Sequence, residues 1–147
     1  MPRRSALLFT TAALLLGAAC HTAPPPEVPK LQWKLLRGLD VRTGRAPDAV
    51  KKLEGSVVKI GGYIVTRHED TGYQMKQFLL VPYPNASSDY PPPPQNEIVL
   101  VNMEKDAVNY TQDPIWVEGR LSLAPTKTPW GPVTYQLAAT AIQPYKE

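Results

Sequence analysis

Few side chains in this sequence are of kinds that do chemistry, and their spacing limits what that chemistry can be. The single cysteine, Cys20, directly follows the small residues Gly17-Ala18-Ala19. A thiol so placed accepts a diacylglyceryl group before an export signal is removed, and no disulfide can form within the chain. Two histidines are present, His21 beside the cysteine and His68 beside Glu69 and Asp70. Ser87, Asp89 and Glu97 offer oxygen donors suited to hard cations, so with His68 they form the candidate set for a metal ion or small ligand. Ser87 or Ser88 as a nucleophile would need His68 as its base, and no G-x-S-x-G elbow or phosphate-cradling glycine loop surrounds them. The carboxylate pairs Glu69-Asp70 and Glu104-Asp106 lie in charged, turn-like surroundings. The residues therefore point away from an enzyme, and to no cofactor beyond a covalent lipid on Cys20.

Stepping along the chain, Pro2-Arg3-Arg4 gives a positive start, and Ala6 to Leu16 gives an apolar run. That run is well short of the roughly 20 residues that cross a bilayer as a helix, so residues 1–19 read as a lipoprotein signal peptide. Such signals usually carry Leu, Val or Ile three residues before the cysteine, whereas Gly17 stands there and Leu16 lies one step further out. Removing residues 1–19 takes away Arg3 and Arg4. The formal charge of +3 then falls to +1, with fourteen Lys and Arg against thirteen Asp and Glu. The basic balance belongs mainly to the precursor, which argues against nucleic acid as a partner. Residues 20–30 include Pro24-Pro25-Pro26 and Pro29, a stiff and extended tether. Residues 31–147 suffice for one domain.

Within that domain, Leu31 to Leu39 fits either a short helical turn or an extended segment. Pro47 to Gly55 predicts a short helix, with proline early, Asp48 in the first turn and glycine at the stop. Ser56 to Thr66 and Tyr73 to Val81 predict a hairpin, and Glu97 to Met103 a strand buried on both faces. Lys105 to Tyr110 predicts a helical turn. Ile115 to Leu123 and Thr134 to Ile142 alternate as strands, separated by a loop over Pro125 to Pro132 in which Pro129-Trp130-Gly131-Pro132 rules out regular pairing. Five strands, with Gly61-Gly62 and Gly119 to bend the first and fourth, predict an all-β, OB-like Greek-key barrel with one or two short helices; a β-sandwich is the alternative. The OB analogy makes Tyr63, Tyr73, Trp116 and Lys76 a conceivable stacking platform for single strands, but the near-neutral charge opposes it. Trp116 and Trp130 fit protein or glycan contact as well.

The most distinctive stretch runs from Phe78 to Tyr83 through Tyr90 to Pro91-Pro92-Pro93-Pro94 and Asn96. Four successive prolines lack backbone donors, so they belong at the surface or the barrel rim, where Tyr83 and Tyr90 can pack on their rings. Tyr83, Tyr90, Pro91 to Pro94 and Asn96 form the candidate partner-binding surface. This stretch resembles a family of uncharacterised bacterial periplasmic lipoproteins with a segment close to FLLVPY-x-GACIH-x-PPPP-x-NQ. The resemblance extends to Trp33 to Leu36, Gly61-Gly62-Tyr63, Trp116 to Gly119 and Tyr135 to Leu137. Ser87, Asp89 and Glu97 stand where that pattern has Cys, His and Gln, so the resemblance carries no soft-metal or thiol role here.

Such lipoproteins are often encoded beside ABC transporters with MacB- or FtsX-like permeases, in some bacteria under zinc-responsive control. The resemblance therefore implies an accessory component of an envelope transport system, linked to metal homeostasis. Its partners would be the lipid bilayer, through the acyl anchor, and an ABC permease or periplasmic protein. His21, in place of an aspartate after the cysteine, favours the outer membrane. Mass spectrometry of the mature amino terminus is expected to find an acylated Cys20, and Cys20→Ser should release the protein from membranes. A free thiol, or cleavage elsewhere, contradicts the anchor.

Overall fold

The computed structural model describes residue 20 and residues 22–65, 74–86 and 91–146. Residues 1–19, which the sequence reads as a signal peptide, and His21, His68 with its neighbours Glu69 and Asp70, Tyr73, Ser87, Ser88, Asp89 and Tyr90 lie outside the described residues.

Two helical turns lead into five strands: α1 (Trp33–Leu36), α2 (Asp48–Lys51), β1 (Val57–Val65), β2 (Gln77–Val81), β3 (Val99–Met103), β4 (Ile115–Thr128) and β5 (Gly131–Pro144). The strands close into one barrel in the order β1-β2-β3-β5-β4. All pairings are antiparallel except β3 with β5. This is the OB-type Greek key, and its single closed sheet excludes the β-sandwich.

Closure depends on β1 changing partners midway. Val57 to Gly62 pair with β4, and Tyr63 to Val65 pair with β2. The glycines sit at the changeover: a Cβ on Gly62 would lie 2.6 Å from the Val81 carbonyl oxygen. On β4, a Cβ on Gly119 would collide with the Ala138 carbonyl, where the β4–β5 register shifts. Glycine is the residue that permits backbones so close.

The barrel interior is filled by alternate residues, among them Val58, Ile60, Phe78, Leu80, Val99, Val101, Val117, Leu121, Tyr135 and Leu137. Leu31, Leu36, Leu39, Ala46 and Val50 from the amino-terminal segment join the same cluster and cap one end. α1 has no side-chain cap and only one turn. A helix this short has no stability of its own, so burial of Leu36 and the bond from the fully buried Tyr135 hydroxyl to the Leu36 carbonyl (2.9 Å) hold it. α2 begins after Pro47 as expected, but its turns tighten after Lys51 and end at Gly55, whose φ is 79°.

A second cluster covers the outside of β2 and β3: Leu79, Val81 and Leu100 with Val65, Ile98 and Val133, against which Tyr63, Ala86 and Trp130 pack. β3 is thus buried on both faces, as its continuous apolar run predicts.

Four expectations need correction. Lys105 to Tyr110 forms no helical turn; Val108 instead makes an isolated bridge with Met75, donating and accepting at 2.8 Å. The second strand starts at Gln77, and the third at Val99 after a 3₁₀ turn over Gln95–Glu97. Pairing continues through Pro125 to Pro132, with Lys127 opposite Pro132 and Thr128 opposite Gly131. A two-stranded ribbon that projects past a barrel has open edges, where a proline forfeits no ladder bond. Finally, β5 does not alternate throughout. Glu118 faces Ala141 while Gly119 faces Ala139, so Thr140 is an extra residue that returns Ile142 to the side of Tyr135, Leu137 and Ala139.

Burial pushes the Tyr135 phenol up to about 12, from an ordinary value of 10.0. The folded state keeps a proton that the unfolded chain gives up, so this group costs stability as pH rises from 10 through about 12. Tyr135→Phe should lower stability by about 1–3 kcal/mol near neutrality, because the Leu36 carbonyl loses its donor. The variant should also lose less stability than wild type between about pH 9 and 11, as urea titrations at the two values would show.

Candidate functional site

The proline rim is built where the chain leaves β2 and returns to β3. Pro82 and Tyr83 follow β2 and are half-buried, and Asn85 turns the chain with φ 58°. Beyond the segment outside the described residues, Pro91, Pro92 and Pro94 are exposed while Pro93 is buried. The block is therefore a strip of three exposed rings nailed down by the fourth.

The 3₁₀ turn that follows fastens the strip to the cap. Asn96 Nδ2 donates to the Arg37 carbonyl at 3.1 Å, and Arg37 Nε donates to Glu97 Oε1 at 2.7 Å. Gln95 Nε2 donates to the hydroxyl of the buried Thr134 on β5 (2.8 Å). Three consecutive side chains thus point inward or sideways to hold the loop. Burial, and then the Glu97 carboxylate, raise the Tyr83 phenol above its ordinary value, against the opposing influence of Arg37.

These contacts redistribute the candidate residues. Pro91, Pro92 and Pro94 remain on the surface, with Tyr83 partly so. Asn96 fastens the rim, and the Glu97 carboxylate is engaged by a guanidinium. Among the described residues, no group of three or more His, Cys, Asp or Glu side chains is placed to hold a metal ion. Ser87, Asp89, His68 and Tyr90 lie outside the described residues. Cys20 is exposed, and Thr22 to Lys30 are exposed or half-exposed.

At Pro29 the tether meets the barrel. Lys59 N donates to the Pro29 carbonyl (2.9 Å) and Leu31 N to the Lys59 carbonyl (2.8 Å), a parallel bridge along β1. Beside this junction lies an aromatic groove that residue-by-residue reading missed. Trp33 Nε1 donates to the Gly61 carbonyl at 2.6 Å. Gly61 faces Trp116 across the β1–β4 pair. Tyr145 stacks on Trp116 with ring centroids 4.7 Å apart and planes 16° apart. The groove has a volume of about 560 Å³ and a neighbouring lobe of about 280 Å³ that reaches Pro82, so it runs up to the rim. Trp33, Gly61, Tyr63 and Trp116 all fall in the stretches that carry the family resemblance, which was the available signal. Tyr145 gave none. Lys76 does not join Trp116; its Nζ donates to the Lys105 carbonyl at 3.0 Å. Trp130 packs on the second cluster, its Nε1 buried without an acceptor among the described residues.

Residues 38–144 match the family model described as a protein of unknown function, DUF3299. The chain belongs to the DUF3299 family. Its structure is similar to the crystal structure of a DUF3299 family protein from Pseudomonas aeruginosa PAO1, with 30% identity and a TM-score of 0.55 over 86% of this chain and 90% of that one. No curated protein matches the sequence. The family match begins at Gly38, after α1, and therefore spans the barrel and the rim; of the residues lining the groove it includes Gly61 and Trp116 but not Lys30 to Trp33, Tyr145 or Lys146.

The Arg37–Glu97 pair is half open on the arginine side, with side-chain exposures of 50% and 20%. Arg37→Ala should therefore cost about 1 kcal/mol or less globally. It should nonetheless speed amide exchange at residues 95–97 relative to β2 and β3, measurable by hydrogen exchange with mass spectrometry.

Proposed function

We propose that this protein is a lipid-anchored, non-enzymatic binding component on the periplasmic side of the bacterial envelope, at the outer membrane, acting as an accessory to an ABC-type transport system linked to metal homeostasis. The rigid proline rim is the surface that meets its partner. The observation that carries this reading is the fastening of exposed Pro91, Pro92 and Pro94 by buried Pro93 and by Asn96 and Glu97 on Arg37. A strip already fixed in its bound shape loses little conformational freedom on association, and proline rings offer flat apolar contact without donors that would need satisfying.

The amino-terminal end supports the same reading. Thr22 to Lys30 bury little, and the chain becomes fixed only at the Pro29–Leu31 bridge to β1. At roughly 3 Å per residue, an extended segment from Cys20 to Pro29 lets the barrel stand some tens of ångströms from a bilayer that holds the acyl chains. That reach suits contact with the periplasmic part of a membrane complex.

Cross-linking in intact cells followed by membrane purification is expected to recover a transporter subunit or periplasmic partner with the wild-type protein. A variant with Pro91, Pro92 and Pro94 changed to Ser, and Pro93 retained for packing, should recover at least about tenfold less. Equal recovery would remove the rim from the interface.

A further inference from the structure

The outer face of β1, β4 and β5 gathers cations around stacked aromatic rings. Lys59 Nζ lies 5.3 Å and Lys30 Nζ 5.5 Å from the centroid of the Trp116 ring. Lys59 is held there by Gln143 Oε1 at 3.3 Å. Lys30 and Lys146 line the groove, and Lys59 stands beside it over the same ring. Among the described residues none of these three lysines has an ion-pair partner, and Glu118, opposite Lys59 in the β1–β4 register, makes no ion pair with it. Two ammonium groups therefore converge on one indole ring, with a third along the same wall. The ring quadrupole attracts each of them, and the single Glu118 carboxylate beside three lysines leaves a net positive charge that an anion in the groove would offset.

The aromatic part is fixed before any ligand arrives. A Cβ on Gly61 would lie 2.7 Å from Tyr145 Cε2, so the glycine leaves room for the edge of the tyrosine ring that stacks on Trp116. Trp33 is locked by its bond to the Gly61 carbonyl. Tyr145 remains 40% exposed and offers the open ring of the set. Gln32 on the groove wall and Gln143 beside Lys59 supply amides at the margin.

We propose that this groove is a binding site for an acidic saccharide, a sugar chain bearing carboxylate or phosphate groups. One ring packs its C–H face on Tyr145 and Trp33, its anionic group lies among Lys30, Lys59 and Lys146, and its hydroxyls meet the glutamine amides. The dimensions suit this class, since a cleft of several hundred Å³ with a few placed polar groups is typical of a small-ligand site. An acyl chain would leave three ammonium groups and the amides unmatched. A nucleic-acid strand would need open ring faces for successive bases, whereas Trp116 is already stacked by Tyr145. The site adjoins the proline rim but is built from other residues, and does not depend on a partner binding there.

The test is calorimetry on the full-length protein in detergent, with tetragalacturonate as the acidic probe, cellotetraose as the neutral one, a deoxythymidine oligonucleotide, and inorganic phosphate. Tetragalacturonate should bind, more weakly at about 0.5 M NaCl, and at least about tenfold more tightly than cellotetraose. Lys30→Gln with Lys59→Gln should remove most of that preference. Tyr145→Ala should weaken binding to both sugars, and although it loses the stack on Trp116 the variant should keep a single cooperative thermal transition, since Tyr145 lies outside the strands. No binding of tetragalacturonate overturns the proposal, as does equal affinity for cellotetraose or indifference to Tyr145→Ala. Tighter binding of the oligonucleotide would make this a nucleic-acid site instead. Phosphate binding as tight as that of tetragalacturonate would reduce it to a simple anion site, and would equally overturn the saccharide reading.

Discussion

The two glycines in the middle of β1 are the constraint from which most of this structure follows. Every strand of the closed barrel has two neighbours, and β1 meets its own with successive stretches, passing from β4 to β2 between Gly62 and Tyr63. A side chain on Gly62 would meet the Val81 carbonyl and Leu80, and would hold β2 away. Gly61, one residue earlier and on the opposite face, leaves the space that Tyr145 fills, and its carbonyl takes the Trp33 indole. The same dipeptide thus closes the barrel on its inner side and founds the aromatic groove on its outer side.

Closure also decides which surface is free. In OB barrels the outer face of strands two and three commonly receives ligand. Here that face is occupied by the protein's own side chains, with Trp130 from the β4–β5 ribbon and Ala86 from the rim loop packed against Leu79, Val81 and Leu100. What remains open is the β1–β4–β5 face with its rings and lysines, and the proline strip beside it. The one-turn helix α1 joins the two regions, since Trp33 at its start bonds to the groove and Arg37 just after it holds the rim. It is held in turn by Leu36, buried in the barrel mouth and bonded through its carbonyl to Tyr135.

Much of this was legible in the sequence. Period-two alternation in Ile115 to Leu123 depends only on one face being buried, and burial follows it from Ile115 to Leu121. The uninterrupted apolar run of β3 declared a strand covered on both sides, and the glycines announced where strands must bend or approach closely. Proline runs set their own backbone geometry, so the exposure of Thr22 to Lys30 and the surface position of the rim could be read locally as well.

The tertiary structure decided the rest, because the remaining choices depend on partners far apart in the chain. Pro125 to Pro132 reads as a loop until the ribbon's free edges show that its prolines cost no ladder bonds. Alternation in β5 holds until Thr140, where the bulge against Glu118 and Gly119 moves Ile142 to the core side. Asn96 and Glu97 have the chemistry of contact residues, and only the position of Arg37 some sixty residues earlier makes them fastenings. Tyr145 carries no local signal, and becomes part of a site because Gly61 lacks a side chain and Trp116 stands across from it. Periodicity and backbone restrictions act over neighbouring residues, so the sequence alone determined strands and bends; closing a barrel brings distant residues together, so only the folded chain determined which of them share a surface.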